Sequence, residues 1–144
     1  MDYRFGNLPF EDVYRFLVET DNEFPAPLSK KVNLTDYALK LAHFSEFSFC
    51  IEDHSIAGMI SCYMNRPPIA FISNVCIRSN YQNMGVFKRL FSNLTTHLKS
   101  KGFSIVHLEV SDANIIAQKA YLSVGFQAKE RASNTSHYFE FLVK

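Results

Sequence analysis

The stretch Gln82 to Lys88, QNMGVFK, sets a glycine between a β-branched, aromatic run and a strongly amphipathic one. A glycine there is either a turn residue or a point where a ligand comes close to main-chain N–H groups. In the second case the amides around Gly85, backed by the dipole of the helix they open, form a concavity suited to a phosphate or pyrophosphate, with Lys88 and Arg89 nearby. The spacing matches neither GxxxxGK[ST] nor GxGxxG, so a Walker loop and the dinucleotide fingerprint are both excluded. Cys76 is a possible nucleophile, but no Cys, His and Asp set assembles around it from spacing. The three cysteines, Cys50, Cys62 and Cys76, sit apart in apolar segments with no CxxC or HExxH motif, so buried reduced thiols and no metal are expected.

The elements that must position these residues follow from periodicity. DYRFGNL reads as a strand, and PFEDVYRFLVETDNEF as a helix opened by Pro9, Glu11 and Asp12 and ended by Pro25 and Pro27. NLTDYALKLAHF places Leu34, Tyr37, Ala38, Leu41 and Ala42 on one helical face, with Asn33 as N-cap. EFSFCIE, SIAGMISCYM and PIAFISNVCI are strands joined by the turns EDHS and NRPP, so a meander is expected. A long helix runs from near Asn83 to KSKG, burying Val86, Leu90, Leu94 and Leu98. FSIVHLEV is the fifth strand, NIIAQKAYLSVG a helix closed by Gly125, and FQAKERA with SHYFEFLVK a terminal two-stranded ribbon. The order β-α-α-β-β-β-α-β-α-β-β implies a right-handed crossover between the fourth and fifth strands, which makes that pair parallel in an otherwise antiparallel sheet. An α/β (α+β) fold with a mixed sheet of six to seven strands and helices on both faces is expected.

The totals agree with one ordinary domain over residues 1–144. A chain of 144 residues buries roughly two thirds of its unfolded surface, and no linker or composition shift divides it. Fifteen Lys and Arg against 14 Asp and Glu leave a formal charge of +1, which gives no field to draw the protein onto nucleic acid or anionic lipid. The N-terminal residues contain no apolar run of signal-peptide or membrane-span length, so a cytoplasmic protein is expected.

LEVSDANIIAQKAYLSVGF resembles the late motif of the GNAT acetyltransferase superfamily: Asn114, Ala117, Tyr121, Gly125 and Phe126 stand at that spacing. Gln82 and Gly85 match the family's earlier motif, with Phe87 where a Gly or Ala is usual. The resemblance covers nearly the whole chain, since the element order is also the family's, and the site pattern is similar to that of ribosomal-protein N-terminal acetyltransferases.

The resemblance implies acetyl-CoA in a V-shaped cleft between splayed parallel strands four and five. By position, Val75, Cys76 and Ile77 would pair with the pantetheine arm as an added strand does. Gln82 belongs to the same motif, and Asn83, Met84, Gly85, Val86, Phe87 and Lys88 would wrap the pyrophosphate through N–H groups. Asn114 would bind cofactor, and Tyr121 would give the departing thiolate its proton. Glu109, raised by burial, would serve as base for an attacking primary amine, directly or through water. His107, on the same strand face, is an orienting or alternative group. Tyr121 as a packing residue and Glu109 as a solvated or salt-bridged one are the structural alternatives.

The implied function is direct acetyl transfer to a small-molecule amine or a protein N-terminus. The rival is a GNAT-like module that binds acyl-CoA without turnover, favoured by Phe87 and the missing carboxylate on strand four. The acceptor would be framed by residues 24–44 and by Ser133 to His137, whose composition does not separate polyamine, sugar amine, amino acid and N-terminus. The aromatic final strand HYFEFLVK reads as an exposed edge that a second copy would cover, hence a possible homodimer.

Overall fold

The computed structural model describes residues 1–23 and 26–144. Seven strands form one mixed sheet in the order β1-β2-β3-β4-β5-β7-β6. They are β1 (Asp2–Gly6), β2 (Ser45–Glu52), β3 (Ser55–Arg66), β4 (Ile69–Ile77), β5 (Ile105–Ser111), β6 (Gln127–Ser133) and β7 (Ser136–Leu142). Only β4 and β5 pair in parallel. The helices are α1 (Phe10–Thr20), α2 (Leu34–Phe44), α3 (Val86–Ser100) and α4 (Ile115–Val124).

Each face of the sheet carries its own core. On one face α1 and α2 pack Val13, Phe16, Leu17, Ala38 and Leu41 against Phe47, Phe49 and Met59. On the other, α3 lays Val86, Leu90, Phe91, Leu94 and Leu98 against Ile60, Cys62, Val106 and Leu108. The i, i+4 stripe read from the sequence is the buried stripe of α3. Asn33 caps α2 as expected, its side chain accepting from the Asp36 N–H at 3.0 Å.

Two helix boundaries differ from the sequence reading for local reasons, and one strand differs in its place in the sheet. Helix α1 stops at Thr20, and Asp21 opens a 3₁₀ turn while its carboxylate accepts from the Ser29 N–H (3.0 Å) and hydroxyl (2.5 Å). Helix α3 starts at Val86, because Asn83 (φ 62°) and Gly85 (φ 75°) are left-handed and cannot continue a right-handed helix. The last strand is no edge: β7 lies between β5 and β6, so the aromatic residues read as an exposed border are interior. That removes the ground for a second copy covering β7. The edge on this side is β6, which carries Lys129, Glu130 and Arg131, charges that discourage strand addition. No helix among the described residues is long and apolar enough to cross a membrane.

Candidate functional site

The site begins where β4 parts from β5. Their ladder holds only Ile69 with Ile105, Ala70 with Val106 and Phe71 with His107. Immediately beyond, Ser61 pairs with Asn74 while Cys62 pairs with Ile72, so Ser73 is an extra residue that bulges β4. Two side chains hold the bulge: Tyr37 donates to the Ser73 carbonyl (3.1 Å), and the Ser61 and Ser73 hydroxyls lie 2.8 Å apart. The sequence reading placed Tyr37 only on the apolar face of α2 and gave Ser73 no role, since alternation gives no sign of an inserted residue.

Past the bulge, β4 offers an unpaired edge. The Arg78 N–H donates to Ala57 (2.9 Å), and with the β3–β4 register this fixes 78 and 76 as hydrogen-bonded positions toward β3. The main-chain groups of Val75 and Ile77 therefore point the other way, into the splay. Cys76 is corrected on this point: its main chain is spent on β3, and its side chain packs toward the α1/α2 core. Burial pushes the Cys76 thiol up to about 11, which leaves it protonated and a poor nucleophile. Of the outward groups, the Ile77 carbonyl already accepts from Gln82 Nε2 (3.1 Å), so Gln82 closes the loop onto the strand.

The loop after β4 presents a row of donors. Among the described residues, no protein acceptor meets the N–H groups of Asn83, Met84, Gly85, Val86, Phe87 or Lys88; Arg89 is the first to bond, to the Gly85 carbonyl (3.2 Å). These six amides open the fifteen-residue helix α3 at the positive end of its dipole. A Cβ built on Gly85 would meet nothing within 4 Å, so the glycine is demanded by its left-handed backbone and faces open space. Phe87 does not block that space. Its ring packs inward, with centroids 6.0 Å from Phe91 and 5.7 Å from Tyr121. Arg89 is turned away, its guanidinium 4.6 Å over the Tyr3 ring. The loop's start is anchored to α1 and the 3₁₀ turn after it by residues the sequence did not single out: Glu19 accepts from Arg78 (2.7 Å), and Glu23 from the Ser79 N–H (2.6 Å).

Tyr121 stands on α4, whose start is capped by Asn114 Oδ1 accepting from the Ala117 N–H (3.1 Å). That role leaves the Asn114 amide nitrogen without a partner among the described residues. Gly125 ends the helix in the left-handed region (φ 110°). The Tyr121 ring is packed by Phe87, Phe126 and Phe139. Burial pushes its hydroxyl up to about 12, and no hydrogen-bond acceptor holds it among the described residues. It is a protonated donor across the working range of a protein.

Glu109 faces the opposite side of the sheet, since Val106, Leu108 and Val110 alternate with it into the α3 core. It is exposed, where the sequence reading expected burial. Ser136 on β7 donates to Glu109 Oε2 at 2.6 Å, and the Ser133 hydroxyl lies 2.8 Å from that of Ser136. His107 does not serve Glu109. Directly opposite Glu140 in the β5–β7 ladder, it bonds that carboxylate at 2.9 Å and, with Lys129, holds it below the usual carboxylate range.

Glu109, Ser133 and Ser136 line a cleft of about 420 Å³ with Ser73 of β4 and Lys31 of the α1–α2 connection. Of the two segments expected to frame the acceptor, the first brings Lys31 to this opening and the second Ser133, Thr135 and Ser136; Phe24 and Pro25 lie outside the described residues. A clamp on its rim was not legible: Asp112 binds Arg131 (2.5 Å) and His137 (2.8 Å), tying the β5–α4 turn to the β6–β7 hairpin. A larger cavity, about 710 Å³ and lined by Thr95, Gly125 and Phe141, contains none of these groups. Among the described residues no three His, Cys, Asp or Glu side chains converge on a metal position.

Comparison with known proteins adds the following. A family model described as Acetyltransferase (GNAT) family matches residues 10–126. A [ribosomal protein bS18]-alanine N-acetyltransferase from Haemophilus ducreyi is 40% identical over 57 residues, a match reaching 40% of this chain and only 39% of that one. The ribosomal-protein-S18-alanine N-acetyltransferase of Escherichia coli superposes with a TM-score of 0.78 at 15% identity over 99% of this chain and 94% of that one. PaiA N-acetyltransferase from Thermoplasma acidophilum, solved in complex with coenzyme A, gives 0.80 at 16% identity over 99% of both chains. At such identities the two structures speak for a shared fold.

Proposed function

The chain belongs to the acetyltransferase (GNAT) family, and we propose that it moves an acetyl group from acetyl-CoA to a primary amine by direct attack. The observation that carries this reading is the junction of the splayed β4–β5 edge with six unpaired amides at the mouth of α3. The residues fit the cofactor. The amides of Asn83 to Lys88 match a diphosphate, and the open space at Gly85 admits its oxygens. The outward main-chain groups of Val75 and the Ile77 N–H suit an amide-bearing arm.

The splay joins the two faces of the sheet, with Glu109 on one and Tyr121 on the other. An amine enters from the Glu109 side, through the 420 Å³ cleft. Its lone pair forms the new C–N bond to the thioester carbonyl carbon as the C–S bond breaks. Glu109, directly or through a water, takes the proton the nitrogen loses. Tyr121 gives its proton to the sulfur, so the products are the N-acetyl amine and the free thiol of CoA. Holding the reactants in this geometry supplies much of the acceleration.

An alanine of ribosomal protein S18 is the acceptor named for the Haemophilus ducreyi and Escherichia coli relatives, and a protein N-terminus is one acceptor class proposed here beside small amines. The test is thiol release from acetyl-CoA with and without a panel of primary amines. Acceptor-dependent release is the expected result; tight cofactor binding with no acceptor-dependent release would make the protein a non-catalytic binder. The inward packing of Phe87 weakens that rival, which drew on Phe87 as an obstruction.

A further inference from the structure

We infer that the acceptor is a zwitterion, a primary amine that also carries a carboxylate; this deepens the acetyl-transfer reading above and rests on it. Two charged side chains line the acceptor cleft, Glu109 and Lys31. They come from different walls. Glu109 projects from β5, and Lys31 from the connection between α1 and α2, where its N–H closes a 3₁₀ turn onto the Leu28 carbonyl at 2.9 Å.

Neither charge is neutralised by the protein. Among the described residues the lysines paired with a carboxylate within 4.0 Å are Lys101 and Lys129, not Lys31, and Glu109 holds only the Ser136 hydroxyl. Around them the lining is mostly hydroxyl: Ser73, Ser111, Ser133 and Thr135 give and accept hydrogen bonds without adding charge. A cleft of about 420 Å³ with one free cation and one free anion complements a ligand of the opposite polarity, its ammonium toward Glu109 and its carboxylate toward Lys31. A neutral amine leaves Lys31 without a counter-charge. A polyamine is worse placed, because its second cation meets Lys31.

Two sources carry this chemistry: a free α-amino acid, through its own carboxylate, and a peptide N-terminus whose second residue is acidic, through that side chain. The experiment measures kcat/KM by thiol release for alanine against alaninamide, for Ala-Asp-amide against Ala-Asn-amide, and for spermidine, using wild type, Lys31→Gln and Lys31→Glu. Lys31 is exposed, so both variants should fold, and their melting curves verify it. The expected result is that one carboxylate acceptor exceeds its neutral partner by about fivefold, the size one partly solvated ion pair supports. The preference disappears in Lys31→Gln and reverses in Lys31→Glu, where spermidine improves. The winning pair identifies the source.

Equal rates within both pairs, an unchanged preference in Lys31→Glu, or spermidine as good as the best acceptor in wild type would each overturn the inference while leaving acetyl transfer intact. Absence of acetyl-CoA binding and of thiol release with every amine, on folded protein, would overturn the acetyl-transfer reading and this inference with it.

Discussion

Ser136 and Glu109, diagonal neighbours on β7 and β5, share a 2.6 Å hydrogen bond that fixes one carboxylate oxygen and leaves the other without a partner among the described residues. Replacing Glu109 by Gln keeps an acceptor for Ser136 and removes the carboxylate proposed as base. Steady-state kinetics should then show kcat lowered by about 10²-fold or more, with KM for acetyl-CoA nearly unchanged. A kcat within about twofold of wild type would reassign the proton to another group.

Tyr121→Phe removes a hydroxyl while keeping a ring packed by three phenylalanines. Turnover should fall by about 10²-fold and acetyl-CoA affinity hardly change, since proton donation matters only as the sulfur departs. The folded value of about 12 lies above the ordinary 10.0 because burial disfavours the phenolate. The sign follows: this contribution to stability is full below pH 10.0 and is lost as pH rises through about 12. The proposed acid is therefore protonated throughout the neutral range, and kcat should show no loss from Tyr121 ionisation there.

Gly85 and Gly102 make a controlled pair. Both are left-handed, at φ +75° and +85°, and a Cβ on either meets nothing within 4 Å. Alanine at each should cost about 1–2 kcal/mol of backbone strain, seen as a similar fall in Tm. Only Gly85→Ala should also weaken acetyl-CoA binding, by about tenfold, because its methyl enters the space assigned to the phosphates. Equal binding in the two variants would place the diphosphate elsewhere.

Asp112 is held below its ordinary 3.8, first by the His137 hydrogen bond and then by Arg131. A depressed carboxylate stabilises the fold above its unfolded value, and that contribution fades as pH falls through the lower folded one. Asp112→Asn should melt earlier than wild type at neutral pH, the gap closing once the solution is more acidic than pH 3.8. A gap that persists undiminished in acid would mean that the clamp does not act through the Asp112 charge.

Much of this was legible in the sequence because period alone carries it. The stripe Val86, Leu90, Leu94, Leu98 gave α3, Asn33 gave the start of α2, and the crossover rule gave the parallel β4–β5 pair. Gly85 marked the donor loop through its chemistry. What stayed hidden depends on chain segments distant in sequence. The place of β7 between β5 and β6 is a pairing choice that alternation does not encode. Ser73 is one inserted residue whose side chain gives no warning of a bulge. Burial of Glu109 was expected only from the base role that the resemblance implies, beside the alternative of a solvated side chain, and α1 and α2 do not extend over that part of the sheet. The Asp112, Arg131 and His137 clamp joins positions that look like ordinary solvated residues, and Lys31 reaches the cleft only through the fold of the α1–α2 connection.

The central claim is that the amides of Asn83 to Lys88 and the free edge of β4 hold an acyl-CoA. Calorimetric titration of the folded protein with acetyl-CoA tests it most directly. Saturable one-to-one binding in the micromolar range, about 8 kcal/mol, is the predicted result; no binding up to millimolar acetyl-CoA would contradict it.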